Sequence, residues 1–279
     1  MSYKNILVQV DTTQACAARV EAAIALALQH EAHLTALYLI VEYSGASFAR
    51  SQLPAEVVAA ASAEAERLAN EKLAKFAVLA ERNQVSFDTR IDRGFDAELP
   101  EICSMHARYM DLLVIGQVDP EDPPASRQLP VQLVLASGRP VLLIPHIGTG
   151  KTFGQRVLVA WDASREAARA VTDAMPILTR ASSVGVVTIN PSQRDLGHGD
   201  VPGADIALYL ARHGVQVEVQ RIETRDLDVG NALLSHLADE GADLLVMGGY
   251  GHSRLRELIL GGATRTILRS MTVPVLMAH

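Results

Sequence analysis

Five glycines crowd one short stretch of this chain, Met247 to Thr264: Gly248, Gly249 and Gly251 near its start, Gly261 and Gly262 near its end. An apolar run, Asp243 to Met247, leads in, and a helix-like run, Ala263 to Ser270, leads out. Glycine lets the backbone turn through positive φ and brings bare N–H groups close to a ligand. A glycine pair that opens a helix aims further N–H groups, and the positive end of the helix dipole, at an anion. The segment reads as a phosphate cradle, because five glycines after one strand exceed what turning requires.

A cradle needs a scaffold, and the chain carries two copies of one. Lys4 to Asp11 matches Arg156 to Asp162, each an apolar strand ending on aspartate and followed by an Ala-rich helical stretch, Cys16 to His30 or Arg165 to Thr179. Strand-like runs follow at Leu34–Val41 and Val184–Asn190. Asp111-Leu-Leu-Val-Ile-Gly116 matches Asp243-Leu-Leu-Val-Met-Gly248, and Arg139–His146 matches Val273–His279, in the same order. The offset drops from 151 between the strand-end aspartates to 132 between Asp111 and Asp243, so the second copy is shorter in its middle. The first copy spends the difference on an amphipathic stretch from Pro54 to Asn83. The second has a polar loop, Asn190 to Gly203, and a shorter helix, Ala204 to Arg212, stopped by Gly214. Glycines between Ile147 and Gly154 mark the join, which divides the chain into domains 1–147 and 154–279.

Buried apolar strands alternating with helices imply an α/β fold: two Rossmann-like domains, each a five-stranded parallel sheet with helices on both faces. Ligands of such sheets bind outside the carboxyl ends of the strands, where the strand order reverses. Asp162, Thr188–Asn190 and Met247–Gly251 all fall at such ends, so they are expected to meet in one crevice.

Composition narrows the function. The net charge is −7, with 12 basic and 18 acidic residues before Gly150 and 13 and 14 after it, so neither half has the basic excess of a nucleic-acid binder. No apolar run is long enough to span a membrane. Met1 to Asn5 runs straight into a strand pattern without a secretory layout, which points to a cytoplasmic protein. The cysteines, Cys16 and Cys103, are isolated and read as small core residues. His30 and His33 have metal-pair spacing, but no carboxylate or thiol cluster completes a site. No nucleophile–base–orienter set and no Gly-Lys-Ser/Thr phosphate loop occurs, so an enzymatic role extends at most to weak ATPase activity.

The spacing Gly248-x-x-Gly251, nine residues, Gly261 and then a helix resembles the phosphate-binding signature of the universal stress protein family. The strand ending in Asp162, the Met-Gly before the loop and the final Val-Pro-Val-Leu strand agree, and the resemblance covers both halves. It implies a tandem, stress-response member that binds ATP or another adenine nucleotide. By position, Asp162 would contact the adenosine, with Ala160 and Trp161 lining its pocket and Thr188 at a strand end beside adenine. Met247, Gly248 and Gly251 would frame ribose and phosphates. Gly261, Gly262, Ala263 and Thr264 would supply helix N-terminal donors. Magnesium is compatible with a bound nucleotide, though no residue demands it.

Two departures matter. The family usually carries Ser or Thr where this chain has Gly262, so a backbone donor survives and a hydroxyl is lost, a difference of about 0.5–1.5 kcal/mol. The first copy reads Gln-Val-Asp-Pro-Glu-Asp-Pro-Pro-Ala-Ser126 after Gly116. Prolines lack donors, and Asp119, Glu121 and Asp122 would repel phosphate. That copy is expected to be structural or partner-binding. Family domains commonly pair through their last strands, so Arg139–Pro145 and Val273–His279 are expected to pair antiparallel as an internal pseudo-dimer; a further homodimer is compatible with open strand edges.

Overall fold

A computed structural model describes residues 2–42, 54–118, 128–150, 152–191, 201–224, 227–251 and 262–279. The first copy runs β1 (Asn5–Val10), α1 (Cys16–His30), β2 (His33–Glu42), α2 (Ala55–Arg82), β3 (Phe87–Phe95), α3 (Leu99–Ala107), β4 (Leu112–Gly116), α4 (Leu129–Ala136) and β5 (Val141–Ile144). The second runs β6 (Arg156–Ala160), α5 (Arg165–Leu178), β7 (Ser183–Ile189), α6 (Ala204–Arg212), β8 (Val217–Ile222), α7 (Val229–Asp239), β9 (Leu244–Gly248), α8 (Gly262–Ser270) and β10 (Val275–Ala278).

The chain forms two compact units, Tyr3–Arg139 and, with the first two residues, Pro140–His279. In the first, β3, β2, β1 and β4 lie side by side, all parallel. In the second the order is β8, β7, β6, β9, β10, again parallel, with β5 antiparallel on the far side of β10. The expected architecture holds, but the strand count differs from five parallel strands apiece. Val275, Leu276 and Met277 of β10 pair with Leu143, Leu142 and Val141 of β5, as expected for the two terminal strands. That pairing counts β5 with the second unit, which places the division at Arg139/Pro140.

The central strands β4 and β9 are buried along almost their whole length, so both read as unbroken apolar runs rather than alternating ones. One polar device is repeated beside them. Asp111 accepts hydrogen bonds from the Lys4 and Asn5 amides at 2.6 and 2.9 Å. Asp243 accepts from Gly154, Gln155 and Arg156 at 2.9–3.1 Å. Each aspartate thus fixes where the first strand of its copy begins. Gly154 is required there: its φ is +81°, and a Cβ would press on Ile177 at 2.8 Å. Cys16 and Cys103 are free and buried, and burial pushes the Cys103 thiol up to about 12. His30 ends α1 against Tyr3, while His33 opens β2 and meets Ser86 at 2.8 Å.

Candidate functional site

The chain leaves β6 for β7 on one side and returns from β8 to β9 on the other, so the strand order reverses between β6 and β9. At their carboxyl ends lies a cavity of about 990 Å³ in the second unit. Ala160, Trp161 and Asp162 reach it from the end of β6, and Thr188 from the end of β7. Met247, Gly248 and Gly251 come from β9 and its loop, and Gly262, Ala263 and Thr264 from the first turn of α8. Ten of the eleven residues singled out from sequence therefore share one cavity. The eleventh, Gly261, lies outside the described residues, as do His252, Arg254 and Arg256.

Local geometry explains several of these positions. Ser164 is the N-cap of α5, its hydroxyl accepting from the Ala167 amide at 3.0 Å. Asp162 accepts from the Ser164 amide at 3.0 Å, which closes a short turn and sets its carboxylate at the cavity rim. The Trp161 amide donates to the Val187 carbonyl at 2.9 Å and carries the strand alignment one residue past β6. Thr188 is fully buried, and its methyl lies on the side where a Cβ at Gly203 would meet Val186 and Val219. Thr188 is among the residues that line the cavity. Thr264 accepts from the Tyr250 amide at 3.5 Å, which ties the glycine loop to α8.

The glycines differ in how strictly they are needed. A Cβ at Gly248 would stand 2.6 Å from the Ala167 nitrogen and 2.8 Å from the Glu166 carbonyl carbon, so the first turn of α5 packs directly on that residue. At Gly251 the obstacle is the Glu166 carboxylate, 3.0 Å away. Among the described residues nothing stands within 4 Å of the Cβ position at Gly262. Beneath the loop, Glu166 is buried and paired with Arg165 at 2.5 Å. Burial pushes its carboxyl up, but the Arg165 bond and its own amide overcome that, leaving it below the usual range. His279 bonds the Gly249 carbonyl at 2.9 Å, and the Gly249 amide donates to Ala278.

Further residues complete the walls: Asn190 and Tyr250 lie in the strand-end stretches expected at the crevice, while Leu227, Asp228, Val229 and Leu233 were passed over by sequence reasoning. Leu227, Val229 and Leu233 add apolar surface, Asn190 and Tyr250 bring polar groups, and Asp228 a second carboxylate. Backbone strain also collects here. Among the described residues five non-glycine positions have positive φ; Glu31 and Gln84 follow helix ends, while Ala163, Asn190 and Tyr250 line the cavity. Left-handed backbone costs a non-glycine residue about 1–2 kcal/mol, and such strain gathers where a surface is shaped for binding.

The model of the universal stress protein family matches residues 2–121 and 154–279. The chain belongs to that family. A universal stress protein of Archaeoglobus fulgidus aligns with 98% of this chain and 97% of its own at a TM-score of 0.71 and 17% identity. One from Pseudomonas aeruginosa, described as a putative member, aligns over 99% and 93% with a TM-score of 0.59 and 15% identity. At such identities the likeness shows the fold. By sequence, a universal stress protein of Synechocystis is 37% identical over 70 residues, 24% of this chain and 22% of that protein. One of Methanocaldococcus jannaschii is 38% identical over 39 residues, 14% of this chain and 24% of that protein. The chain thus matches less than a quarter of the length of these curated relatives.

In the first copy of this universal stress protein the equivalent crevice is filled from within. Arg19 projects from α1 and is buried; its guanidinium pairs with Asp11 at 2.6 Å and donates to the Gln9 carbonyl at 2.7 Å. A Cβ at Gly116, the counterpart of Gly248, would collide with that guanidinium. Asp11 also accepts from the Thr13 amide and hydroxyl at 2.9 and 2.6 Å. Burial first, and then the nearby Asp11 and Cys16, raise the Tyr38 hydroxyl above its ordinary pKa. The segment holding Asp119, Glu121 and Asp122 lies outside the described residues.

Proposed function

We propose that this universal stress protein is a cytoplasmic regulatory protein that binds one adenine nucleotide, in its second copy, while the first copy serves structure or partner binding. The observation that carries the reading is the strand-end cavity at the β6/β9 reversal. Its walls collect Asp162 and Trp161 on one side, Met247, Gly248 and Gly251 on another, and the opening turn of α8 on a third. Such a crevice offers an apolar wall for a base and backbone donors for a phosphate. The volume, about 990 Å³, falls within the range of small-molecule sites.

In this reading Asp162 holds the adenosine portion and Trp161 lies against the base. Gly248 and Gly251 let the backbone approach the ribose and phosphates, while Gly262, Ala263 and Thr264 donate to the phosphate. Gly261 completes the loop by its place in the sequence. Mass spectrometry of the supernatant from denatured, freshly purified protein tests this. An adenine nucleotide in near-equal amount to protein supports the reading; an empty supernatant, with no heat on titrating adenosine or its phosphates, contradicts it.

A further inference from the structure

A nucleophile, a base and an orienting carboxylate, which no sequence motif announces, meet at the amino-terminal ends of β2 and β3. Leu34 pairs with Phe87, so the residues just before them, His33 and Ser86, come side by side from 53 positions apart. The Ser86 hydroxyl lies 2.8 Å from His33 Nδ1, and the other ring nitrogen, Nε2, faces Asp88 Oδ1 at 3.5 Å.

Asp88 decides which nitrogen carries the proton. Its Oδ1 is shut off from solvent and has no hydrogen-bond donor among the described residues, while Oδ2 takes Arg90 Nε at 3.2 Å. Burial pushes this carboxyl up, but the Thr35 bond and Arg90 hold it below the usual range, so it is ionised at neutral pH. A carboxylate draws the ring proton of a neutral imidazole to the nitrogen it faces. Nε2 therefore carries the hydrogen, and Nδ1 turns its lone pair to the Ser86 O–H.

The second copy builds the same junction without these side chains. The Leu34 amide donates to the Ser86 carbonyl at 2.9 Å, and the Val184 amide to the Gln216 carbonyl at 3.1 Å. Val184 pairs with Val217 as Leu34 does with Phe87. Ser183 thus replaces His33, Gln216 replaces Ser86 and Glu218 replaces Asp88. Starting these strands does not require a serine–histidine bond. Ser86 is exposed, so a reagent reaches it from solvent.

We infer that Ser86 is a nucleophile that accepts an acyl group from activated esters, with His33 as its base and Asp88 as the group that orients the base. Ser86 Oγ bonds the ester carbonyl carbon as its proton passes to His33 Nδ1. The bond from that carbon to the leaving oxygen breaks, and the leaving group departs with the bonding pair. The imidazolium, faced by Asp88, returns its proton to solvent, and the acyl group stays on Ser86 as an ester.

The test is to treat the full chain with p-nitrophenyl acetate at neutral pH and locate acetyl groups by peptide mass spectrometry over time. Ser86 is expected to label about a hundredfold faster than Ser183, which is exposed at the matching strand start but has serine neighbours in place of the histidine pair. His33→Ser, the residue the second copy carries there, should slow Ser86 labelling by about the same factor, and Asp88→Asn by less. Urea unfolding of the variants checks that the frame is kept, and the comparison of Ser86 with Ser183 needs no variant. Acetylation of Ser86 no faster than of Ser183 overturns the inference, as does equal labelling of Ser86 in a folded His33→Ser.

Discussion

At the end of β1, Asp11 holds a buried arginine; at the end of β6, Asp162 stands at the rim of an open cavity. The order of the first four strands is alike, though the first copy's second helix is far longer, and even the aspartates that fix the first strand of each copy, Asp111 and Asp243, are repeated. One position among the described residues contributes to the difference. Arg19 in α1 stands where the repeat offset of 151 puts Ala170 in α5, and Ala170 is fully buried without reaching the crevice mouth. A long cationic side chain fills one crevice, and a methyl leaves the other open.

The largest expected effect separates the two aspartates. Asp11→Ala strands the Arg19 charge in a buried position, a loss typically about 3–5 kcal/mol and here toward the lower end because Asp11 is partly exposed. Asp162→Ala removes an exposed turn bond from the Ser164 amide and leaves no buried charge behind, so it is expected to cost about 1 kcal/mol. Urea unfolding of both variants checks this, and equal losses would break the contrast. Replacing the pair by Arg19→Met with Asp11→Ala should recover much of the stability, since an apolar pair avoids the unpaired charge.

Next in size is Gly248→Ala. Its methyl would meet the backbone of α5, which cannot swing aside as a side chain can, so a cost of about 1–3 kcal/mol and loss of nucleotide binding are expected. Normal affinity by calorimetry would show that the loop is not packed as described.

Acid sharpens the comparison differently. In the first unit burial pushes Asp88 and Asp92 up, but bonds to Thr35 and Arg90, and to His106 and the Arg93 amide, leave both below their ordinary values. Glu166 behaves likewise in the second unit. A carboxyl whose folded pKa lies below its unfolded one contributes stability above the unfolded value, about 4, and loses it as pH falls through the folded value. Both units should therefore hold from pH 7 to about 5 and weaken below about 4. Glu166→Gln should flatten that fall for the second unit alone, as followed by Trp161 fluorescence.

The smallest effect is a gain. A side chain at Gly262 meets none of the described residues, so Gly262→Ser should fold normally and add a hydroxyl donor to α8. One such bond is worth about 0.5–1.5 kcal/mol, or roughly two- to tenfold in nucleotide affinity. No change on titration would mean that the phosphate does not sit at this helix end.

Much of this was legible in the sequence. Strand and helix alternation predicts the doubly wound units, and strand-end position alone collects Ala160, Trp161, Asp162, Thr188, Met247 and Gly248 at one crevice. Ser164 and Asp162 are readable as capping and turn residues because their effect is local. Asp228 and Leu227 were not legible as site residues, because only the packing of α7 against α8 brings that turn to the cavity. Arg19 left one faint signal, a charge amid the alanines of α1, yet its pairing with Asp11 depends on the helix face it occupies. The grouping of β5 with the second unit follows from hydrogen bonds to β10 that no local pattern specifies.

The central claim is that one copy binds and its twin is filled by its own arginine. Stoichiometry reads this most directly: titrate adenosine monophosphate into the wild type and Gly248→Ala by calorimetry or native mass spectrometry. One nucleotide per chain, abolished by Gly248→Ala, is the predicted result. Two per chain, or one that survives Gly248→Ala unchanged, would contradict it.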